Sequence, residues 1–110
     1  MAFDEHQANR IRELLSTEGC VVEKTMFGGL AFLLDGNMAV AVSSTGGLMV
    51  RVAAQDTEAL LQRAHVTPMV MGARQIRGWV RVADEGVRTT RQLRAWVDRG
   101  VAHARTLPPT

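Results

Sequence analysis

The sequence predicts an α+β fold: a two-layer sandwich in which helices cover mainly one face of an antiparallel sheet. Three apolar segments, 30–34, 38–42 and 48–53, are separated by short turns rich in Gly, Asp, Asn and Ser. Short turns of this kind are typical of an antiparallel meander. Helical patterns are few and do not alternate with each strand, which disfavours a parallel doubly wound sheet. We interpret residues 1–110 as a single domain, since the length fits one modest core.

Composition excludes several classes of protein. With 46% apolar and 22% charged residues, the chain is not collagen-like, largely disordered or a coiled coil. A single cysteine, Cys20, excludes an internal disulfide framework and a cysteine-built zinc site. There is no signal-like start and no apolar run near the ~20 residues that a membrane helix needs. We therefore expect a cytoplasmic location.

Helices are predicted at both ends of the chain. Asp4 is placed to cap a helix over residues 4–18, and Gly19 to end it. Thr89 with Gln92 forms a capping-box pattern for a helix over 90–105. Both segments repeat apolar residues at the spacing of one helical face. These residues are Ala8, Ile11, Leu14 and Leu15 in the first helix, and Leu93, Trp96, Val97, Val101 and Ala104 in the last.

The remaining elements are read from shorter patterns. Residues 20–26 and 75–83 are predicted as strands, and Asp56 as the cap of a short helix over 57–64. The segment 65–71 is ambiguous, because Pro68 is incompatible with a central strand.

The sequence contains no pattern typical of an active site. The phosphate-binding glycine patterns are absent, and His6, His65 and His103 lack the spacing of metal ligands. We predict no enzyme activity, no catalytic residues, no cofactor and no metal. Methionine is frequent, with six in the chain. Gap-filling in the core is the preferred interpretation of these side chains, and an adaptable binding surface is the alternative.

One set of side chains suggests a contact surface. Alternation along the strands places Leu48, Val50 and Val52 on one face of their strand and Arg51 on the other. In the strand over 75–83 we expect Ile76, Val80 and Val82 to pack into the core and three side chains to point away. Together with the nearby Arg74, the candidate interaction face consists of Arg51, Arg74, Arg77, Trp79 and Arg81.

Arginine around tryptophan has more than one interpretation. An ordinary solvated sheet face is one, with arginine stems covering the indole. A protein interface is a second, because Trp and Arg are enriched at interface hot spots. A nucleic-acid or phosphate site is a third. The formal net charge of only +2 counts against nucleic acid.

Several short motifs, taken in order, resemble the TfoX N-terminal domain family. The first is Met26, Phe27, Gly28 and Gly29, and another is Gly78 with Trp79. The others are Phe32, the run 36–38, the run 48–52, Pro68 with Met69, Gly72, Arg74, Val80, Leu93, Trp96 with Val97, and the closing run 107–109. The resemblance implies a two-layer antiparallel α+β fold of the secretion-chaperone-like type.

The resemblance also implies a functional context. The family takes its name from the bacterial Sxy/TfoX competence regulators, which promote transcription of DNA-uptake genes alongside a cyclic-AMP receptor protein. Those regulators carry a second, C-terminal domain, and we expect none in these 110 residues. The family supplies no catalytic residues. We therefore expect a non-enzymatic regulatory or interaction module with a protein partner, a homodimer being one form of that contact. A nucleic-acid-binding module that uses the Arg/Trp sheet face is the alternative.

Overall fold

The computed structural model describes residues 3–19, 21–26 and 28–108. The predictions made for Cys20 and Phe27 lie outside these residues. The helices are α1 (Glu5–Leu14), α2 (Thr57–Leu60) and α3 (Thr90–Ala104). The strands are β1 (Val21–Met26), β2 (Gly29–Leu34), β3 (Asn37–Val42), β4 (Leu48–Arg51), β5 (Val66–Met71) and β6 (Arg74–Val82). Two 3-10 turns, Ala54–Asp56 and Asp84–Gly86, precede α2 and α3.

All six strands form one antiparallel sheet in the order β1-β2-β3-β4-β6-β5. The first four strands follow chain order, so the predicted meander is confirmed and extends to β1. The chain then crosses to β5 at the far edge and returns through β6, which pairs with β4. The predicted α+β fold class, with helices packed on an antiparallel sheet, is therefore confirmed.

The main core lies between the sheet and the helices. Phe32, Val50 and Val80 are at most 1% exposed and point towards α1 and α3. Ile11 of α1 and Leu93 of α3 are equally buried in the same cluster. At 20–33 cal/mol per Å² of apolar surface, this burial is the main stabilising contribution. Each described helix contributes buried side chains to this cluster, so the helices lie on one side of the sheet.

The first and last helices are capped by side chains, and the short middle helix is not. Asp4 accepts hydrogen bonds from the backbone N–H groups of His6 and Gln7, as predicted. Thr89 and Gln92 form the complete capping box. The prediction for Asp56 was wrong: its side chain makes no capping bond, and α2 is a single turn that ends at Leu60. The apolar residues of 57–64 are too few to bury a longer helix.

Pro68 lies in an edge strand, where its missing N–H leaves no ladder hydrogen bond unmade on the open side. The ambiguous segment 65–71 forms β5, an edge strand, and an edge strand tolerates proline. The register between β5 and β6 shifts directly after Pro68, since Pro68 pairs with Val80 but Met69 pairs with Ile76. The residues between Val80 and Ile76 therefore form a bulge in β6, and Gly78 takes a φ of +87° there.

Candidate functional site: the open face of the sheet

The face of the sheet opposite the helices carries a second apolar cluster. Ala31, Ala41 and Met49 are buried there, and strand residues pack around them. Among the described residues, no helix contributes to this cluster. We call this side of the sheet the open face. An apolar second face on a sheet is usually covered by another layer, so its exposure here requires an explanation.

Methionine dominates the centre of the open face. A shallow depression of about 120 Å³ is lined by a set of side chains that we call the methionine patch: Met26, Met38, Met49, Met69, Met71, Ala31, Ala41, Ile76 and Trp79. The preferred interpretation of the methionines as core fillers is confirmed for four of them in the second cluster, where Met49 is buried and Met26, Met38 and Met69 pack partly buried against it. None of the described residues of the main core is a methionine. The patch methionines line an adaptable apolar surface, and Met71 is 48% exposed.

Arg51 and Trp79 meet at the margin of the patch. They are direct partners across β4 and β6, and the guanidinium carbon lies 5.9 Å from the centre of the indole ring. This distance permits a cation–π interaction. Arg51 thereby keeps its charge on the open face while it orients the largest aromatic side chain of the patch.

The Arg81 side chain is held by hydrogen bonds to two hydroxyl groups of the protein. Its guanidinium donates to Ser43 Oγ at 2.9 Å and to Thr45 Oγ1 at 2.7 Å. Ser43 is only 5% exposed, and both hydroxyls belong to the turn between β3 and β4. Arg81 lies on the open face, opposite Met49, but part of its hydrogen-bonding capacity is used to stabilise that turn.

The predicted candidate face divides at the bulge of β6. Arg74 is exposed and pairs with Met71, so it shares the open face with the patch. Ile76 was expected in the main core, but it lines the patch beside Trp79 instead. The bulge causes this difference, because the residues inserted before Val80 break the strict alternation on which the expectation depended. Arg77 is exposed within the bulge and does not line the patch.

Sequence reasoning missed Lys24. It is the only lysine of the chain and pairs with Ala31, a member of the open-face cluster. The neighbouring Glu23 pairs with buried Phe32 on the helix side, where Arg12 binds both carboxylate oxygens at 2.7 Å. Side chains alternate between the two faces along β1. Once Phe32 is assigned to the helix side, the pairing of β1 with β2 places Glu23 on that side and Lys24 on the open face.

The glycine motifs shape the backbone around this face. Gly28 has a φ of +78° in the hairpin between β1 and β2, where Phe27 lies outside the described residues. A Cβ on Gly29 would lie 2.1 Å from the carbonyl oxygen of Val42, so that position accepts only glycine without backbone movement. The motif that includes Met26 therefore places one methionine of the patch at the end of a tight hairpin.

Other parts of the surface offer less defined chemistry. A larger groove of about 460 Å³ runs beside α3 and is lined by residues that include Asp56, Asp98 and His103. It is wide and open to solvent. In the part of the chain that the structure describes, no three His, Cys, Asp or Glu side chains converge as metal ligands. Within the same residues, no helix is long and apolar enough to cross a membrane.

These features define a class of protein: a two-layer α+β fold with one face of its sheet apolar, cationic at the margins and uncovered. The TfoX N-terminal domain family matches residues 13–104 of the 110-residue chain, and the chain belongs to that family. Neither the curated proteins nor the solved structures contain a match to the sequence.

Proposed function

We propose that this protein is a non-enzymatic bacterial regulatory or interaction module that binds a protein partner through the open face of its sheet. The observation that carries the proposal is the methionine patch, an apolar surface built entirely from strand residues on the side opposite the helices. In the patch Met71 is exposed and Trp79 is partly exposed, and apolar surface that combines aromatic and arginine side chains is typical of contact sites. Membership of the TfoX N-terminal domain family supports a regulatory context of the competence-regulator kind.

The patch has the properties of an adaptable contact. Methionine side chains are flexible and polarizable, so they fit partners of different shape. Trp79 is only partly exposed and is held by Arg51, so little conformational freedom is lost when a partner covers it.

Two adjacent residues allow a sharp test of this proposal. Met71 and Val70 lie in the same edge strand and are 48% and 53% exposed, but only Met71 lines the patch. A photo-crosslinking amino acid placed at each position in living cells samples opposite sides of the sheet. We expect a discrete protein adduct from position 71 that is weak or absent from position 70. The captured protein is then purified and its affinity measured directly with the intact chain. Identical adducts from both positions, or none from position 71, would refute the proposal.

Nucleic acid is the second candidate partner. The cations of the open face support it: Lys24 and Arg74 are exposed, and Arg51 and Arg81 are partly exposed. Fluorescence anisotropy with duplex DNA and single-stranded RNA at low and moderate salt distinguishes it. Binding that weakens steeply with salt supports this alternative, and no binding at low salt removes it.

A further inference from the structure

The charges on the open face restrict what can cover it. The six strands contain one acidic residue, Glu23, and five basic ones. Glu23 lies on the helix side and is paired with Arg12. The register places four of the five cations on the open face: Lys24, Arg51, Arg74 and Arg81. Among the described strand residues, this face therefore carries no carboxylate.

A second copy of the chain is a poor occupant of this face. In a symmetric dimer the same patch meets itself, so the cations of its strands would face the same cations, and the nearby carboxylates of Asp84 and Glu85 lie only at the Arg81 end. Like charges placed opposite each other in an interface cost several kcal/mol. A partner with carboxylates at its margins avoids this repulsion and gains from the same four cations.

The packing of α3 on the other side of the sheet favours a helix as the occupant of the open face. On the other side of the same sheet, α3 packs its apolar stripe across β3 and β4. The methionine patch crosses the same central strands from behind. A helix laid on the patch would give a three-layer arrangement of helix, sheet and helix, in which both faces of the sheet are buried.

We propose that the open face binds an acidic amphipathic helix of a partner protein. The apolar stripe of that helix covers the methionine patch, and its flanking Asp and Glu residues meet Lys24, Arg51, Arg74 and Arg81. The inference rests on the proposed function and specifies the chemistry of the partner.

Methionine methyl NMR gives a direct readout of this binding. Five of the six methionines line the patch, so ¹³C-methyl signals report on the open face itself. The probes are stapled helices of 15 residues, the length of α3, with a leucine stripe flanked by Glu. One control helix replaces every Glu with Lys, and another keeps the composition but scatters the leucines.

We expect the Glu helix to bind and to shift the patch methyl signals. The Lys helix and the scattered helix should bind with at least about tenfold lower affinity.

The Arg74→Glu variant should lose about tenfold affinity for the Glu helix. Arg94→Glu, a change at another exposed arginine, on α3, should keep that affinity. The Arg74 side chain is exposed and makes no hydrogen bond to the described residues, so its charge reversal tests binding with little risk to folding.

Three results would overturn the inference. The first is that the Glu and Lys helices bind equally, or that neither shifts the methyl signals. The second is that dilution of the protein alone shifts the patch signals, because the occupant is then a second copy. The third is that DNA shifts them with a steep dependence on salt. The first two leave the crosslinking result from position 71 untouched, so failure of this inference is distinguishable from failure of the proposed function.

Discussion

Arg51 and Trp79 are direct cross-strand partners, and the guanidinium of Arg51 lies over the indole of Trp79 at 5.9 Å. The pair joins the two properties of the open face, its positive charge and its apolar surface. It also connects the meander to β6, which the chain reaches only after the crossover to β5.

The first prediction concerns the energy of this pair. Arg51→Ala should lower the free energy of unfolding by about 0.5–1 kcal/mol, the range for a partly exposed cation–π contact. Urea denaturation of the wild type, Arg51→Ala, Trp79→Leu and the double variant measures the coupling. Strict additivity of the two single changes would show that the side chains do not interact.

The second prediction concerns Arg81. Arg81→Ala removes two hydrogen bonds to the turn between β3 and β4 and should cost about 1–2 kcal/mol of stability. Hydrogen exchange at the Gly46 amide, which bonds back to Ser43, should become faster. Arg77→Ala is the matched control in the same strand, and a surface change of that kind stays within about 0.5 kcal/mol. Equal effects of the two variants would contradict the structural role of Arg81.

The third prediction tests how closely α3 packs on the sheet. Alanine normally stabilises a helix by about 1 kcal/mol relative to glycine. A Cβ on Gly100, however, would lie 2.5 Å from the carbonyl oxygen of Ala39. Gly100→Ala should therefore destabilise the protein by about 1–3 kcal/mol through overpacking, as measured by thermal or urea unfolding. Gly19→Ala, where nothing lies within 4 Å, should change stability little, and a gain at Gly100 would contradict the close approach.

The fourth prediction concerns acid stability. The hydrogen bonds from Arg12 lower the pKa of Glu23 below its usual range. A carboxyl whose pKa is lower in the folded state stabilises the protein above its unfolded-state pKa, and this contribution is lost as pH falls through the folded-state pKa. Glu23→Gln should therefore be less stable than the wild type at neutral pH, and the difference should shrink in acid. A difference that stays constant from neutral pH to strong acid would contradict this linkage.

The sequence predicted the fold better than the surface. Gly-containing turns and the apolar runs between them defined β2, β3 and β4, and the capping box at Thr89 located the start of α3. Ile76 was assigned to the wrong face. The local sequence around Gly78 does not show how many residues the bulge inserts, and that number decides which face the residues before it occupy. Pro68 argued against a central strand but left open whether the segment 65–71 pairs with the sheet.

The candidate site was harder to predict for a related reason. Which face of a sheet is covered depends on where the helices pack, and that is a property of the whole chain. Met26, Met38 and Met71 are far apart in sequence and become neighbours only when β1, β3 and β5 join one sheet. Lys24 lies on the open face for the same reason. The sequence alone does not show that the Arg81 side chain bonds to the hydroxyl groups of Ser43 and Thr45.

A comparison of Met71→Glu with Val70→Glu shows whether the open face is the contact surface. Charge reversal at Arg81 would disturb folding and binding together, whereas these two neighbours are both about half exposed on opposite sides of β5. The measurement is the affinity of each variant for the protein captured from position 71. Our account predicts that Met71→Glu loses at least about tenfold affinity, as expected for a charge forced into an apolar contact, while Val70→Glu binds like the wild type. Equal affinities of the two variants would show that the open face is not the contact surface.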